Sequence, residues 1–366
     1  MEKWYEYWIA RIEGISGRRK WKIRCGLETA EDLYYIEETR TKYGMCLKLS
    51  DEEIRIIEKS RTARNWKEEY DRLLDGGIGF VCRSDERYPQ RLSEIVDAPY
   101  ALYWMGEMPP DKGYKVAMVG ARRCSPYGEK MTLEFSEALA DAGVQIISGM
   151  ARGIDGAAHR GALNVGGKTY AVLGCGIDRC YPGEHKGLYR DLIEKGGVLS
   201  EYPPGVPPLP YNFPARNRII SGLSDLVLVM EAREKSGSLI TADTALEQGR
   251  DVFALPGPVT GSLSQGCNRL IKQGAGILLS PEDLLEELRI QGKIGDGSLF
   301  QIQNKNKIML ESAEDLVYSK LDLYPKSREE ILELTGLEPQ ELVGILVTLE
   351  LKGYISEISK NYYVRR

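Results

Sequence analysis

Five stretches of this 366-residue chain are rich in glycine, in arginine and asparagine, or in both, in a way that suits an anion. They are Gly120-Ala121-Arg122-Arg123, Ser148-Gly149-Met150-Ala151-Arg152-Gly153-Ile154-Asp155, Gly174-Cys175-Gly176-Ile177-Asp178, Asn212-Phe213-Pro214-Ala215-Arg216-Asn217-Arg218, and Ser236-Gly237-Ser238-Leu239-Ile240-Thr241-Ala242. Glycine lets backbone N–H groups approach an anion closely, and a helix starting just after the loop adds positive potential. Arginine beside such a loop supplies a bidentate grip on phosphate. The phosphate-contacting set read from these loops is Gly120, Arg122, Ser148, Gly149, Arg152, Gly174, Gly176, Arg216, Asn217, Arg218, Gly237 and Ser238.

Other chemistry fits these residues less well. Gly174-x-Gly176 is half of a dinucleotide fingerprint whose third glycine is missing, since Arg179 and Cys180 follow; Glu201 would then hold a ribose. His159 and His185 are the two histidines, and neither has a serine, cysteine or aspartate arranged with it for nucleophilic catalysis. His159 reads as a packed side chain and Asp155 as the N-cap of the helix that carries it. Arg216 and Arg218 either grip phosphate or pair with Asp225 and Glu231. No cofactor and no metal is expected.

The elements that must position these loops alternate strictly from Lys115 onward. Short apolar runs at Val116–Val119, Val144–Ile147, Tyr170–Leu173, Val198–Leu199, Leu226–Met230, Val252–Leu255 and Ile277–Leu279 are mostly separated by helical segments, such as the one with Met131, Phe135 and Leu139 on one face. Near-continuous apolar strands with helices between them predict a parallel sheet covered on both faces, a Rossmann-like α/β core. All five loops would then lie beyond the carboxyl ends of strands, where open parallel sheets bind ligands. Ser280-Pro281-Glu282-Asp283 starts the helix that closes this domain.

Residues 1–75 read as a small helical domain. Its Gly14-Ile15-Ser16-Gly17 turn is either a helix-hairpin-helix phosphate grip, as in SAM-like domains, or a plain connection. Residues 76–114 carry short apolar runs and turn signals and extend the core domain to 76–289. Residues 290–312, rich in Gly, Gln, Asn and Lys, read as a linker. At 313–366, helices at Ala313–Leu321, from the capping box Ser327-Arg328-Glu329-Glu330, and from Pro339 precede a hairpin around Ser359-Lys360-Asn361, which predicts a winged helix.

Composition limits the partners. The net charge of −5 argues against indiscriminate nucleic-acid binding, so a DNA site must be a local basic patch. Cysteines 25, 46, 82, 124, 175, 180 and 267 lack metal-ligand spacing and read as reduced thiols. No apolar run of about 18 residues and no apolar stretch behind Met1-Glu2-Lys3-Trp4 is present, so a cytoplasmic protein that makes no membrane contact is expected.

The sequence resembles the DprA (Smf) family of DNA-processing proteins of bacterial transformation. The resemblance rests on Val119-Gly120-Ala121-Arg122 with Ser125-Pro126-Tyr127-Gly128, Ser148–Asp155 continuing to Ala158-His159, Leu173–Asp178, Tyr181-Pro182, Phe213–Ile220, Gly237–Ala242, Pro256-Gly257 and Gly266-Cys267-Asn268. It implies a non-enzymatic protein that binds incoming single-stranded DNA, shields it, loads RecA recombinase onto it, and forms a homodimer through the Rossmann domain. It also implies that Arg122 is the family's DNA-contacting arginine. The family's basic residue after Tyr-Pro is replaced here by Gly183 and Glu184, leaving Lys186 as the nearest cation, and Ala121 stands where a hydroxyl residue is more usual. The alternative is a nucleotide-binding or nucleotide-hydrolysing Rossmann enzyme related to phosphoribohydrolases. Those carry a Pro-Gly-Gly-x-Gly-Thr loop that Lys235-Ser236-Gly237-Ser238-Leu239 does not match.

Overall fold

Alternation of side chains along one strand sets the layering. In β3 (Lys115–Val119), Val116 and Met118 face one core while Ala117 and Val119 face another, and all four are buried. The computed structural model describes residues 2–36, 49–294, 312–322 and 324–365; Cys46 and residues 295–311 of the expected linker at 290–312 lie outside them. The other strands of the central sheet are β1 (Gly79–Cys82), β2 (Ala101–Gly106), β4 (Gln145–Ser148), β5 (Thr169–Leu173), β6 (Gly197–Ser200), β7 (Leu226–Val229), β8 (Asp251–Ala254) and β9 (Gly276–Ile277).

These nine strands run in the order β1-β2-β6-β5-β4-β3-β7-β8-β9. From β6 to β9 every pairing is parallel, as the apolar runs predict. The segment read as an N-terminal extension does more than lead into the sheet. Its β1 and β2 pair antiparallel with each other, and β2 pairs antiparallel with β6, so the segment extends the sheet by two strands. Neither run is long enough to show alternation by itself, and the pairing partner of β2 is nearly a hundred residues away.

One face of the sheet is covered by helices Asn212–Leu223, Gly237–Glu247 and Gln265–Lys272, and the other by Pro126–Asp141, Ile154–Asn164 and Pro281–Ile290. Ser125 caps the Pro126 helix by accepting from the Gly128 N–H at 3.1 Å, and Ser280 caps the Pro281 helix through the Asp283 N–H. The N-terminal helices share a core with the sheet. Tyr7 packs its ring 5.5 Å from Phe80 and 6.3 Å from Tyr103, in a buried cluster that reaches Leu173 and Val198.

The C-terminal unit has its own small core of Val317, Leu321, Ile331, Leu342, Leu346, Leu349 and Ile355. Helices Ser312–Lys320, Arg328–Thr335 and Pro339–Leu351 stand against a sheet of β10 (Lys326–Ser327), β12 (Tyr362–Arg365) and β11 (Ile355–Ser359), a winged helix. The Ser327–Glu330 capping box forms, and Asn361 takes a positive φ of 63° in the hairpin turn.

Candidate nucleic-acid interface

The strand order reverses between β3 and β7. Chain leaving β3 goes toward β4, and chain leaving β7 goes toward β8, so the two loops part at the carboxyl edge of the sheet. A cleft of about 500 Å3 opens there, lined by Gly120 and Arg122 after β3, by Phe213, Pro214 and Asn217 on the helix after β6, and by Lys235 to Ser238 after β7.

Two ties hold the Arg122 backbone. Glu231, buried at the end of β7, accepts from both the backbone N–H and the hydroxyl of Ser125, joining the two loops across the switch point. On the other side Gly153, at φ 69°, packs against the Ala121–Arg122 backbone so closely that a Cβ there would lie 2.3 Å from the Ala121 oxygen. The Arg122 side chain is exposed, lies with its guanidinium carbon 5.2 Å from the centre of the Phe213 ring, and makes no ion pair among the described residues. Phe213 in turn packs 5.3 Å from Tyr181, which is 38% exposed. An unpaired cation beside two aromatic faces can hold a phosphate and stack a base.

Several of the expected contacts are committed elsewhere. Arg216 is 3% exposed and donates from Nη1 to the carbonyl oxygens of Gly149, at 2.7 Å, and Val172, so it braces the floor of the cleft. Arg218 points away from the cleft and pairs with Glu201 at 2.8 and 2.9 Å and Asp97 at 3.3 Å, neither of them a partner weighed from the sequence. Arg152 forms a bidentate pair with Glu184, both half exposed. The Ser148 hydroxyl is buried and donates to the Met118 carbonyl at 2.6 Å. The Gly176 N–H donates to the Val206 carbonyl at 2.8 Å, and a Cβ at Gly174 would lie 2.9 Å from the Phe213 ring. These glycines and this serine serve close packing, so sequence reasoning confused a loop's need for small residues with anion binding. Lys186 is exposed at the start of helix Lys186–Lys195 but does not line the cleft.

Of the expected residues, Gly120, Arg122, Arg216, Asn217, Gly237 and Ser238 line the cleft, Arg216 with its guanidinium already holding two carbonyls. Asn217 Nδ2 donates to the Gly237 carbonyl at 3.4 Å, and Ser236 caps helix Gly237–Glu247 by accepting from the Ser238 N–H. Lys235, Tyr181 and Phe213 were not singled out from the sequence. An exposed lysine just before a Ser-Gly-Ser helix start was the available signal for the first, whereas the ring pair joins distant loops.

Two buried ionisable groups lie at and beneath the cleft, Asp155 on its lining and His159 one helical turn further on. Asp155 is not the N-cap: Gly153 holds that position, and the Asp155 carboxylate accepts from the Ala151 N–H at 3.4 Å. Burial pushes its pKa up, against the opposing pull of Arg216 and Arg122. His159 is fully buried, as its packed reading requires. The hydroxyl of Thr169 donates to the Ile146 carbonyl, so His159 Nδ1 donates to Thr169 Oγ1 at 2.7 Å and the ring is neutral. Burial lowers its pKa to about 3.

The family model described as DNA recombination-mediator protein A matches residues 79–289, and the DprA winged helix domain matches residues 305–358. The chain belongs to the DprA family. Within the family it is 45% identical to Protein Smf of Escherichia coli over 286 residues, 77% of this chain and 76% of that protein. It is 50% identical to DNA processing protein DprA of Streptococcus pneumoniae over 203 residues, 56% of this chain and 72% of that protein. Its fold matches the crystal structure of the Streptococcus pneumoniae DprA with a TM-score of 0.62 and 38% identity, over 78% of this chain and 97% of that one. It matches DprA of Helicobacter pylori, whose structure describes a single-stranded DNA binding mode, with a TM-score of 0.53 and 31% identity, over 58% of this chain and 96% of that one. The winged helix and the mostly parallel sheet of the family are both present.

Proposed function

We propose that this chain binds single-stranded DNA in the switch-point cleft and delivers it to RecA recombinase during transformation or recombination, as a cytoplasmic homodimer without catalytic activity. The observation that carries the reading is Arg122: an exposed guanidinium free of any carboxylate partner among the described residues, held over Phe213 at a glycine-lined sheet edge. Family membership and the single-stranded DNA binding mode described for the Helicobacter pylori relative support it. The cleft is framed by loops and aromatic faces, which suits unstacked bases and not a rigid duplex.

Lys235, Asn217 and the start of helix Gly237–Glu247 complete the phosphate path in this reading. For the homodimer, the support is the far edge of the sheet, where β9 presents Ile277, 46% exposed, followed by Leu279, 65% exposed. The six described cysteines are unpaired, and among the described residues no helix is long and apolar enough to cross a membrane. The winged helix is assigned to protein contacts, because the helix it would offer a groove begins with Glu338 and Glu341 and exposes Val343, Val347 and Leu351. The deciding experiment is a gel shift with single-stranded and duplex oligonucleotides of equal length at one salt concentration. Tighter binding of the single strand is expected, and equal affinity for the duplex refutes the assignment.

A further inference from the structure

Two contacts join the loop after β4 to the turn that follows Tyr181-Pro182, and they differ in kind. The inner one is buried: His185 donates from Nδ1 to the Met150 carbonyl at 3.1 Å, and Met150 holds a left-handed φ of 54°. A Cβ at Gly156 would lie 2.9 Å from the His185 ring, so that ring is wedged between the loop and helix Ile154–Asn164. The outer contact is the bidentate pair of Arg152 with Glu184, Nη2 to Oε2 at 2.9 Å, in which both side chains are about half exposed.

The outer contact sits beside the cleft. Gly153, the residue after Arg152, packs against the backbone of Ala121 and Arg122, so the two arginines rise from touching segments of chain. Arg152 and Arg122 also border one small recess, with Tyr181 and Phe213 among its walls. One of these guanidinium groups is free. The other is neutralised by Glu184, whose carboxylate accepts from Arg152 alone among the described residues.

An exposed ion pair is a weak tie that salt screens. A guanidinium on a phosphate makes a charge-assisted bidentate contact at least as strong. Opening the outer pair leaves the buried His185 contact intact, so the turn that carries Tyr181 stays anchored while Arg152 changes partner.

We infer that Arg152 is a second phosphate contact held in reserve by Glu184, which yields the guanidinium when a strand in the cleft brings a phosphate alongside. The inference rests on the single-strand reading above. It adds to that reading a residue that lowers affinity: Glu184 limits how firmly the strand is held, because its pair must break before Arg152 can grip.

The test compares the full-length wild type with Glu184→Gln, Arg152→Gln, the double variant and Arg122→Glu, each binding a fluorescent oligothymidylate over a salt series. Glu184→Gln should tighten binding by up to about fivefold, the weight of an exposed ion pair that no longer has to break. Its log–log salt slope should steepen by about 0.7, one phosphate neutralised with no carboxylate set free in exchange. Adding Arg152→Gln should abolish the steeper slope and return the affinity to the wild-type level or below. A tightening that survives Arg152→Gln shows a carboxylate that merely repels the strand, and an unaltered Glu184→Gln protein shows a pair that never opens. Either result overturns the inference. Arg122→Glu tests the cleft separately. If it weakens the strand while Glu184→Gln changes nothing, the cleft reading stands and the reserve contact falls. If it changes nothing while the Glu184 and Arg152 variants behave as expected, the reserve contact stands and the Arg122 assignment falls.

Discussion

The guanidinium of Arg216 fills the space that a side chain at Gly149 would need: a Cβ there would lie 2.4 Å from both terminal nitrogens. Arg216 holds the Gly149 and Val172 carbonyls and so joins the ends of β4 and β5 beneath the cleft. Gly149→Ala is expected to push Arg216 off these carbonyls and to cost about 1–3 kcal/mol, as overpacking does. Arg216→Ala should cost about 3 kcal/mol, because buried carbonyls and Asp155 lose their positive partner. Chemical denaturation measures both, and a stable Arg216→Ala protein that merely loses DNA would return this arginine to the binding surface.

Arg122 should behave in the opposite way. Arg122→Glu is expected to lower single-strand affinity at least about tenfold, the weight of a charge-assisted contact. The loss should be alike for every sequence, since a phosphate contact carries no base information. The slope of log affinity against log salt should shrink by about 0.7, one phosphate on a single strand. The melting temperature should barely move, because the side chain is exposed. A folded variant with unchanged affinity and slope would remove Arg122 from the site.

His159 gives the fold a pH dependence. Its pKa is held at about 3 in the folded protein by burial, with His185, Arg216 and Arg160 acting in the same direction, against about 6.5 when unfolded. The unfolded chain therefore binds the extra proton, and stability contributed by the neutral ring is present above about pH 6.5 and lost as the pH falls toward 3. His159→Gln removes the titration. Unfolding free energy measured between about pH 7 and pH 4 should fall less steeply in the variant, by up to about 1.4 kcal/mol per pH unit. Identical slopes would show that the ring titrates normally.

The winged helix should be dispensable for the strand. A fragment ending at Gly295 keeps every residue that lines the cleft, so its single-strand affinity should stay within about threefold of the full chain, at an unchanged salt slope. A folded fragment that loses most of its affinity would place DNA contacts on the C-terminal unit.

The sheet edge at β9 should hold two copies together. Ile277→Arg puts a charge on an exposed apolar edge and is expected to shift the protein toward a monomer of 41.1 kDa in sedimentation analysis, with the fold retained by circular dichroism. An unchanged mass would move the interface elsewhere.

The sequence by itself determined the parallel core and the carboxyl edge at which the glycine loops gather. Runs such as Leu226–Met230 are apolar throughout because a central strand is covered on both faces, and a loop that follows such a strand must open at its carboxyl end. It also determined the winged helix, since Ser327 with Glu330 and the Ser359–Asn361 turn are local signals that need no distant partner. Only the tertiary structure decided which of four similar arginines is free. Arg122, Arg152, Arg216 and Arg218 all lie within two residues of a glycine or asparagine, but Glu184, Asp97 and Glu201 come from elsewhere in the chain and occupy two of them, while the sheet buries the third. The same holds for Gly174, which packs against Phe213, and for β2, which pairs with β6: long-range packing assigned their roles, and no local spacing encodes it.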